Sequence, residues 1–200
     1  MSGPAGPREV VLALGSNLGD RLANLQAGID ALTAGPEITA TAVSAVYETR
    51  PVGGPEQPDY LNAVLLAVSA LPARAVLDRC QAAERERGRE RAVRWGPRTL
   101  DIDIIACDGE TSDDPDLTLP HPRAHERAFV LAPWHEADPG ADLPGFGPVA
   151  DLLARAGGGG AAGGAGGVRR RGDLRLTAGQ TTALTTGLTT GPRAPANRGG

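Results

Sequence analysis

The run Leu100-Asp101-Ile102-Asp103-Ile104-Ile105 constrains the fold more than any other stretch of the chain. Aliphatic and acidic residues alternate on a β-branched segment, which reads as a strand with two unlike faces. Asp101 and Asp103 share one face, their Cα atoms about 6–7 Å apart, while Leu100, Ile102 and Ile104 point the other way into a core. Such a strand needs an apolar layer on one side and a use for paired carboxylates on the other. A bare Asp-x-Asp also reads as the wet edge of a sheet. Here Arg94-Trp95-Gly96-Pro97-Arg98 sets arginines just upstream, and that favours Mg²⁺ with its phosphate cargo. Magnesium takes one or two carboxylates and fills its other positions with substrate oxygens and water.

The rest of the pattern supplies the layers. Val10 to Leu14 reads as a buried strand. Asp20 is placed to cap a helix through Leu22, Leu25, Ile29 and Leu32, which Gly35-Pro36 ends. Ile38 to Tyr47 alternates as a second strand, and residues 50–58 are too rich in Pro and Gly for regular structure. Tyr60 to Ser69 is a third strand. Pro72 opens a second helix with Ala75, Val76, Leu77 and Cys80 on its apolar side and a charged end at Glu84-Arg85-Glu86-Arg87. With the Asp101/Asp103 strand the order is βαββαβ, an α+β fold of the ferredoxin-like kind: an antiparallel sheet backed by helices. Helical pieces near 126–136 and 149–155 form a C-terminal extension.

Composition divides the chain into a flexible arm (1–8), one folded domain (9–156) and a tail (157–200). The tail holds half of the 28 glycines and few large apolar residues, so it reads as disordered. It carries six arginines and one aspartate, net +5, which leaves about −9 on residues 1–156 of a chain whose formal charge is −4. An acidic body speaks against nucleic-acid binding. Every cation is an arginine, so a Walker-type lysine loop is excluded. No apolar run is long enough to span a bilayer. Two cysteines in apolar segments and no signal peptide suit a cytoplasmic protein.

Four motifs in order then carry a family resemblance: Ala13-Leu14-Gly15-Ser16-Asn17-Leu18-Gly19-Asp20, Gln57-Pro58-Asp59-Tyr60-Leu61-Asn62-Ala63, Arg94 to Asp103, and Leu119-Pro120-His121-Pro122-Arg123. From about Val10 to Leu153 the chain resembles the 6-hydroxymethyl-7,8-dihydropterin pyrophosphokinases of folate biosynthesis. The resemblance implies transfer of pyrophosphate from ATP to the pterin hydroxymethyl oxygen, with release of AMP. It implies that Asp101 and Asp103 hold two Mg²⁺ ions and that Arg89 and Arg98 act on the phosphates as catalytic arginines. Arg91, Arg94, His121 and Arg127 would be further ATP contacts, with Ile104 packing on the adenine and Glu84 at the nucleotide site. On a charged helix Glu84 also reads as a solvated i,i+4 partner. For the pterin, the resemblance implies Tyr60 and Phe129 as stacking faces and Asn62 as the reader of the ring edge. The backbone of Thr49 and Val52 would line the pocket, with Trp95 as a wall. It implies a monomer acting on small molecules, with no nucleic acid and no membrane. The Gly15-Ser16-Asn17 turn reads as structural, not as a nucleotide cradle. A two-metal phosphohydrolase would need more clustered acids and histidines than the sequence offers, and an RNA-binding module more exposed aromatics.

Overall fold

The computed structural model describes residues 6–51, 55–88, 96–157 and 167–178. Its main sheet contains β1 (Arg8–Ser16), β2 (Ile38–Val43), β3 (Val46–Thr49), β4 (Tyr60–Ser69), β5 (Asp101–Cys107) and β10 (Val168–Arg171). The hairpins β6 (Ser112–Asp114) with β7 (Leu117–Leu119) and β8 (Asp142–Leu143) with β9 (Gly147–Pro148) lie apart from it. The helices are α1 (Arg21–Leu32), α2 (Ala73–Glu86), α3 (Ala128–Ala137) and α4 (Val149–Gly157), with a 3-10 turn at Ala124–Glu126.

The sheet runs β10-β3-β4-β1-β5, with β2 also paired to β4 and every pairing antiparallel. Taken together, β2 and β3 form the second strand of a ferredoxin-like sheet, and the expected plan stands. The expected continuous strand from Ile38 to Tyr47 is divided, however. Ser44 breaks it by accepting the Val64 N–H on its hydroxyl (2.9 Å) while its own N–H donates to the Val64 carbonyl (2.9 Å). The side chain has taken a ladder position that the backbone would otherwise fill.

Alternation along the strands builds two cores. Val10, Leu12, Leu14, Leu65, Ile102 and Ile104 pack with Leu25 and Ile29 of α1 and Val76 and Cys80 of α2. On the other face, Val64, Ile105 and Val11 pack with Val130, Leu131 and Trp134 of α3 and Val149 and Leu152 of α4. Fully buried leucines such as Leu12 and Leu25 each contribute roughly 1.5–3 kcal/mol. Asp20 caps α1 as expected, its Oδ1 accepting the Ala23 N–H at 3.0 Å.

One expectation is corrected. Part of the 157–200 tail is ordered: Val168–Arg171 adds a strand to the free edge of β3, and Leu174 and Leu176 pack on the α1/α2 core. Composition argued for disorder because apolar burial there is small. Backbone ladder bonds and ion pairs hold the segment instead. Arg169, Arg170 and Arg171 each meet a carboxylate, so they do not form a free basic patch. Among the described residues no helix is long and apolar enough to cross a membrane.

Candidate active site

Strand register sets four residues in one row across the α3 side of the sheet. Asp101 stands opposite Gly15, Gly15 opposite Asn62, and Asn62 opposite Tyr47. In the next row Asp103 stands opposite Ala13. Asp101 and Asp103 thus share a face, while Ile102 and Ile104 turn into the opposite core, as the alternation predicts. Gly15 is the gap in the row. A Cβ there would lie 3.3 Å from Asn62 Oδ1 and 3.7 Å from Tyr60 Cδ1, so its absence leaves open space between the acids and the Tyr60/Asn62 end.

Each acid has a cationic partner. Arg98 Nη1 donates to Asp101 Oδ2, and Arg127 Nη1 donates to Asp103 Oδ2 at 3.1 Å. His121 Nε2 stands 3.8 Å from the same Asp103 oxygen. Arg98 lies in the segment before β5, at the loop exit that the sequence suggests. Burial opposes its charge, but Asp101 beside it wins, and its pKa lies above the ordinary value. His121 goes the other way: burial is the main cause, with Arg127 adding to it, and its pKa falls below 6.5 despite the attraction of Asp103. A neutral imidazole can donate from only one nitrogen. His121 is tied to β5 by its own N–H, which donates to the Ile105 carbonyl at 2.8 Å.

Next to this pair a cavity of about 210 Å³ opens between α2, β5 and the β6–β7 hairpin. Leu77, Ile102 and Ile104 form its apolar part, with Asp103, Thr118 and His121 as its polar part. An apolar slot that ends on a carboxylate, a hydroxyl and an imidazole has the chemistry to take a base at one end and phosphates at the other.

At the opposite end the polar side chains of Thr49 and Asn62 are buried. Asn62 is 6% exposed, and its Nδ2 donates to Thr49 Oγ1 at 2.8 Å. Tyr60 stands opposite Thr49 on β3, and its hydroxyl donates to Gln57 Oε1 at 3.4 Å. Phe129 opens α3, with the Arg127 guanidinium 5.7 Å from its ring centre. Both aromatic rings are half-buried.

Glu84 is neither solvated nor on the cavity wall. It is 3% exposed, and its Oε1 accepts the Ile102 N–H at 2.8 Å. The solvated i,i+4 reading is therefore corrected: α2 packs against the outer edge of β5, and this carboxylate serves an edge-strand donor between the two aspartates. Among the described residues no three metal-ligating side chains gather, so the acid pair itself is what the protein offers a cation. Val52, Arg89, Arg91, Arg94 and Trp95 lie outside the described residues.

Sequence reasoning took the Gly15-Ser16-Asn17 turn as structural and stopped there, which missed Asn17 as a junction. Its Nδ2 donates to Gln57 Oε1 (2.9 Å) and the Pro58 carbonyl (3.1 Å), while its Oδ1 accepts the Arg98 N–H (2.7 Å). One buried amide thus joins the turn after β1, the 55–58 loop and the approach to β5. Arg21 was also missed. It donates to Glu48 Oε1 (3.0 Å) and the Asp59 carbonyl (2.8 Å). The only sequence signal for Asn17 is its position inside a matching motif, and Arg21 directly follows that motif.

The 7,8-dihydro-6-hydroxymethylpterin-pyrophosphokinase (HPPK) family matches residues 11–139. The chain is 49% identical over 158 residues to the 2-amino-4-hydroxy-6-hydroxymethyldihydropteridine pyrophosphokinase of Mycobacterium tuberculosis strain H37Rv, covering 72% of this chain and 82% of that one. It is 41% identical to the Pseudomonas aeruginosa enzyme of the same name, over 74% of this chain and 91% of the other. Among solved structures it resembles wild-type Plasmodium falciparum HPPK-DHPS with pterin and p-hydroxybenzoate, with a TM-score of 0.55 over 78% of this chain. At 13% identity that likeness speaks to fold. The chain spans 42% of the length of that longer protein.

Proposed function

This chain belongs to the 7,8-dihydro-6-hydroxymethylpterin-pyrophosphokinase family, and on that premise we propose that it transfers pyrophosphate from ATP to the hydroxymethyl oxygen of 6-hydroxymethyl-7,8-dihydropterin, forming the pterin diphosphate and AMP. One observation carries the reading. The Asp101/Asp103 pair stands at the seam between two unlike half-sites, the Tyr60/Asn62 end beyond Gly15 and the Ile104/Thr118/His121 cavity.

Attack on the β-phosphorus builds negative charge on bridging and terminal oxygens, so catalysis here is mostly positioning and charge neutralisation. Asp101 and Asp103 would hold two Mg²⁺ ions, which when bound supply Lewis-acid neutralisation of the triphosphate. The residues fit that role: two carboxylates on one strand face, with no cluster of three metal-ligating side chains among the described residues, leave most coordination positions to phosphate and water. Arg98 and Arg127 neutralise the pair in the absence of substrate. Both can turn their forks to phosphate oxygens when a cation takes over the carboxylates. His121, whose Nε2 faces Asp103, donates a hydrogen bond to the triphosphate. Arg89, Arg91 and Arg94 complete the anion-binding set.

On the acceptor side, Tyr60 and Phe129 flank the pterin ring and Asn62 reads its edge. Asn62 Nδ2 is held by Thr49, so its orientation is set before substrate arrives. We assign the backbone of Thr49 and Val52 and the Trp95 ring to pterin binding as well, on the strength of the family. Ile104 packs on the adenine, and Glu84 supports the nucleotide site by holding the β5 edge. The chain works as a monomer in the cytoplasm, without nucleic acid or membrane. The test is AMP formation from ATP and Mg²⁺ with and without the pterin. Pterin-dependent AMP bears the reading out, while ADP or phosphate released without pterin makes the chain a hydrolase.

A further inference from the structure

We infer that residues 168–177 form a strap that holds the pterin-side wall of the site in its working position, an inference that rests on the function proposed above. The strap lies beyond residues 11–139, the span that the family matches. Strand β10 pairs Val168 with Thr49, Arg169 with Glu48, Arg170 with Tyr47 and Arg171 with Val46. β3 has four residues and carries the hydroxyl that holds Asn62. A strand that short at a sheet edge frays readily unless something covers it.

Two carboxylates turn the cover into a clasp. Glu48 accepts from Arg21 of α1 (3.0 Å), from Arg171 (3.0 Å) and from Arg169. Glu136 of α3 accepts the Tyr47 hydroxyl on Oε2 (2.6 Å) and the Arg170 guanidinium on Oε1 (2.7 and 2.9 Å). Past the strand, the Thr177 N–H donates to Gln26 Oε1 of α1 (2.9 Å), and Gln26 Nε2 donates back to the Thr177 carbonyl (3.0 Å). The strap therefore ties β3 to the helices on both faces of the sheet. Thr49 is fixed on one side by β4 and on the other by this segment, and Asn62 is held in turn by the Thr49 hydroxyl. Binding then need not order the wall, and the benefit falls on the pterin and not on the nucleotide.

The test is the full-length chain carrying Arg170→Glu and Arg171→Glu together, which sets like charges against Glu136 and Glu48. Amide exchange at 46–49 and 168–171 reports whether the strap has lifted. The expected result is lost protection in both segments, a KM for the pterin raised at least about fivefold, and a KM for ATP within about twofold of the unaltered chain. Arg170→Lys with Arg171→Lys should restore the pterin KM. Retained protection in the Glu variant would overturn the clasp. Lost protection with an unchanged pterin KM would overturn the link to the wall. A parallel rise in both KM values with a lowered Tm would show a merely structural role. Absence of pterin-dependent AMP from the unaltered chain would instead defeat the function on which the inference rests.

Discussion

At the residue scale, the site joins opposite charges that each have a second use. Asp101 and Asp103 are neutralised by Arg98 and Arg127, and both arginine–carboxylate pairs are open enough to exchange partners. Changing Asp101 or Asp103 to Asn keeps the shape and an acceptor for the arginine but removes the charge that a divalent cation needs. Each variant should lose at least about a hundredfold in kcat, with Tm shifted by no more than about 4 °C. Steady-state AMP assays across a Mg²⁺ titration, alongside calorimetry, check both halves. Glu84 has a different duty. Glu84→Ala leaves the Ile102 N–H without its acceptor on a buried strand edge and should cost about 1–3 kcal/mol, read as a lowered urea midpoint with an unchanged slope.

At the element scale, helix and strand approach is set by small residues and short connections. Gly28 of α1 is buried, and a Cβ there would lie 3.1 Å from both Leu100 Cδ2 and Leu14 Cδ2. Those leucines are 0% and 2% exposed and have nowhere to retreat. Gly28→Ala should therefore destabilise by about 1–2 kcal/mol, because overpacking outweighs the gain in helix propensity; chemical denaturation would show it. The strap answers to pH. Hydrogen bonds from Arg169 hold the Glu48 carboxyl below its ordinary 4.5, and those from Arg170 do the same for Glu136. A carboxylate with a depressed folded pKa contributes stability above its unfolded value and loses it as the pH falls through the folded one. Amide protection of 46–49 and 168–171 should hold above pH 4.5 and decline below it, ahead of the centre of the sheet.

At the scale of the whole molecule, helices cover both faces of the sheet, β10 covers one edge, and Glu84 serves the other. Among the described residues Phe146 is the one large hydrophobic side chain that counts as exposed, at 38%. The other large apolar side chains among them are buried or half-buried. Light scattering should therefore give a mass near 20.4 kDa at all working concentrations. A concentration-dependent doubling would show an interface elsewhere. The amino-acid sequence by itself determined the βαββαβ order, the core on the Ile102/Ile104 side and the shared face of Asp101 and Asp103. Burial periodicity is local and is written residue by residue. The tertiary structure alone decided that Arg127, 24 residues on, would pair with Asp103, that Glu84 would be buried on a backbone donor, and that Asn17 would join three segments. It also decided that a glycine-rich tail would close the sheet. Ladder bonds and ion pairs hold that last strand, and its ion-pair partner Glu48 lies up to 123 residues away. Neither leaves a periodic trace in the residues that make them, so only the folded register reveals where they meet.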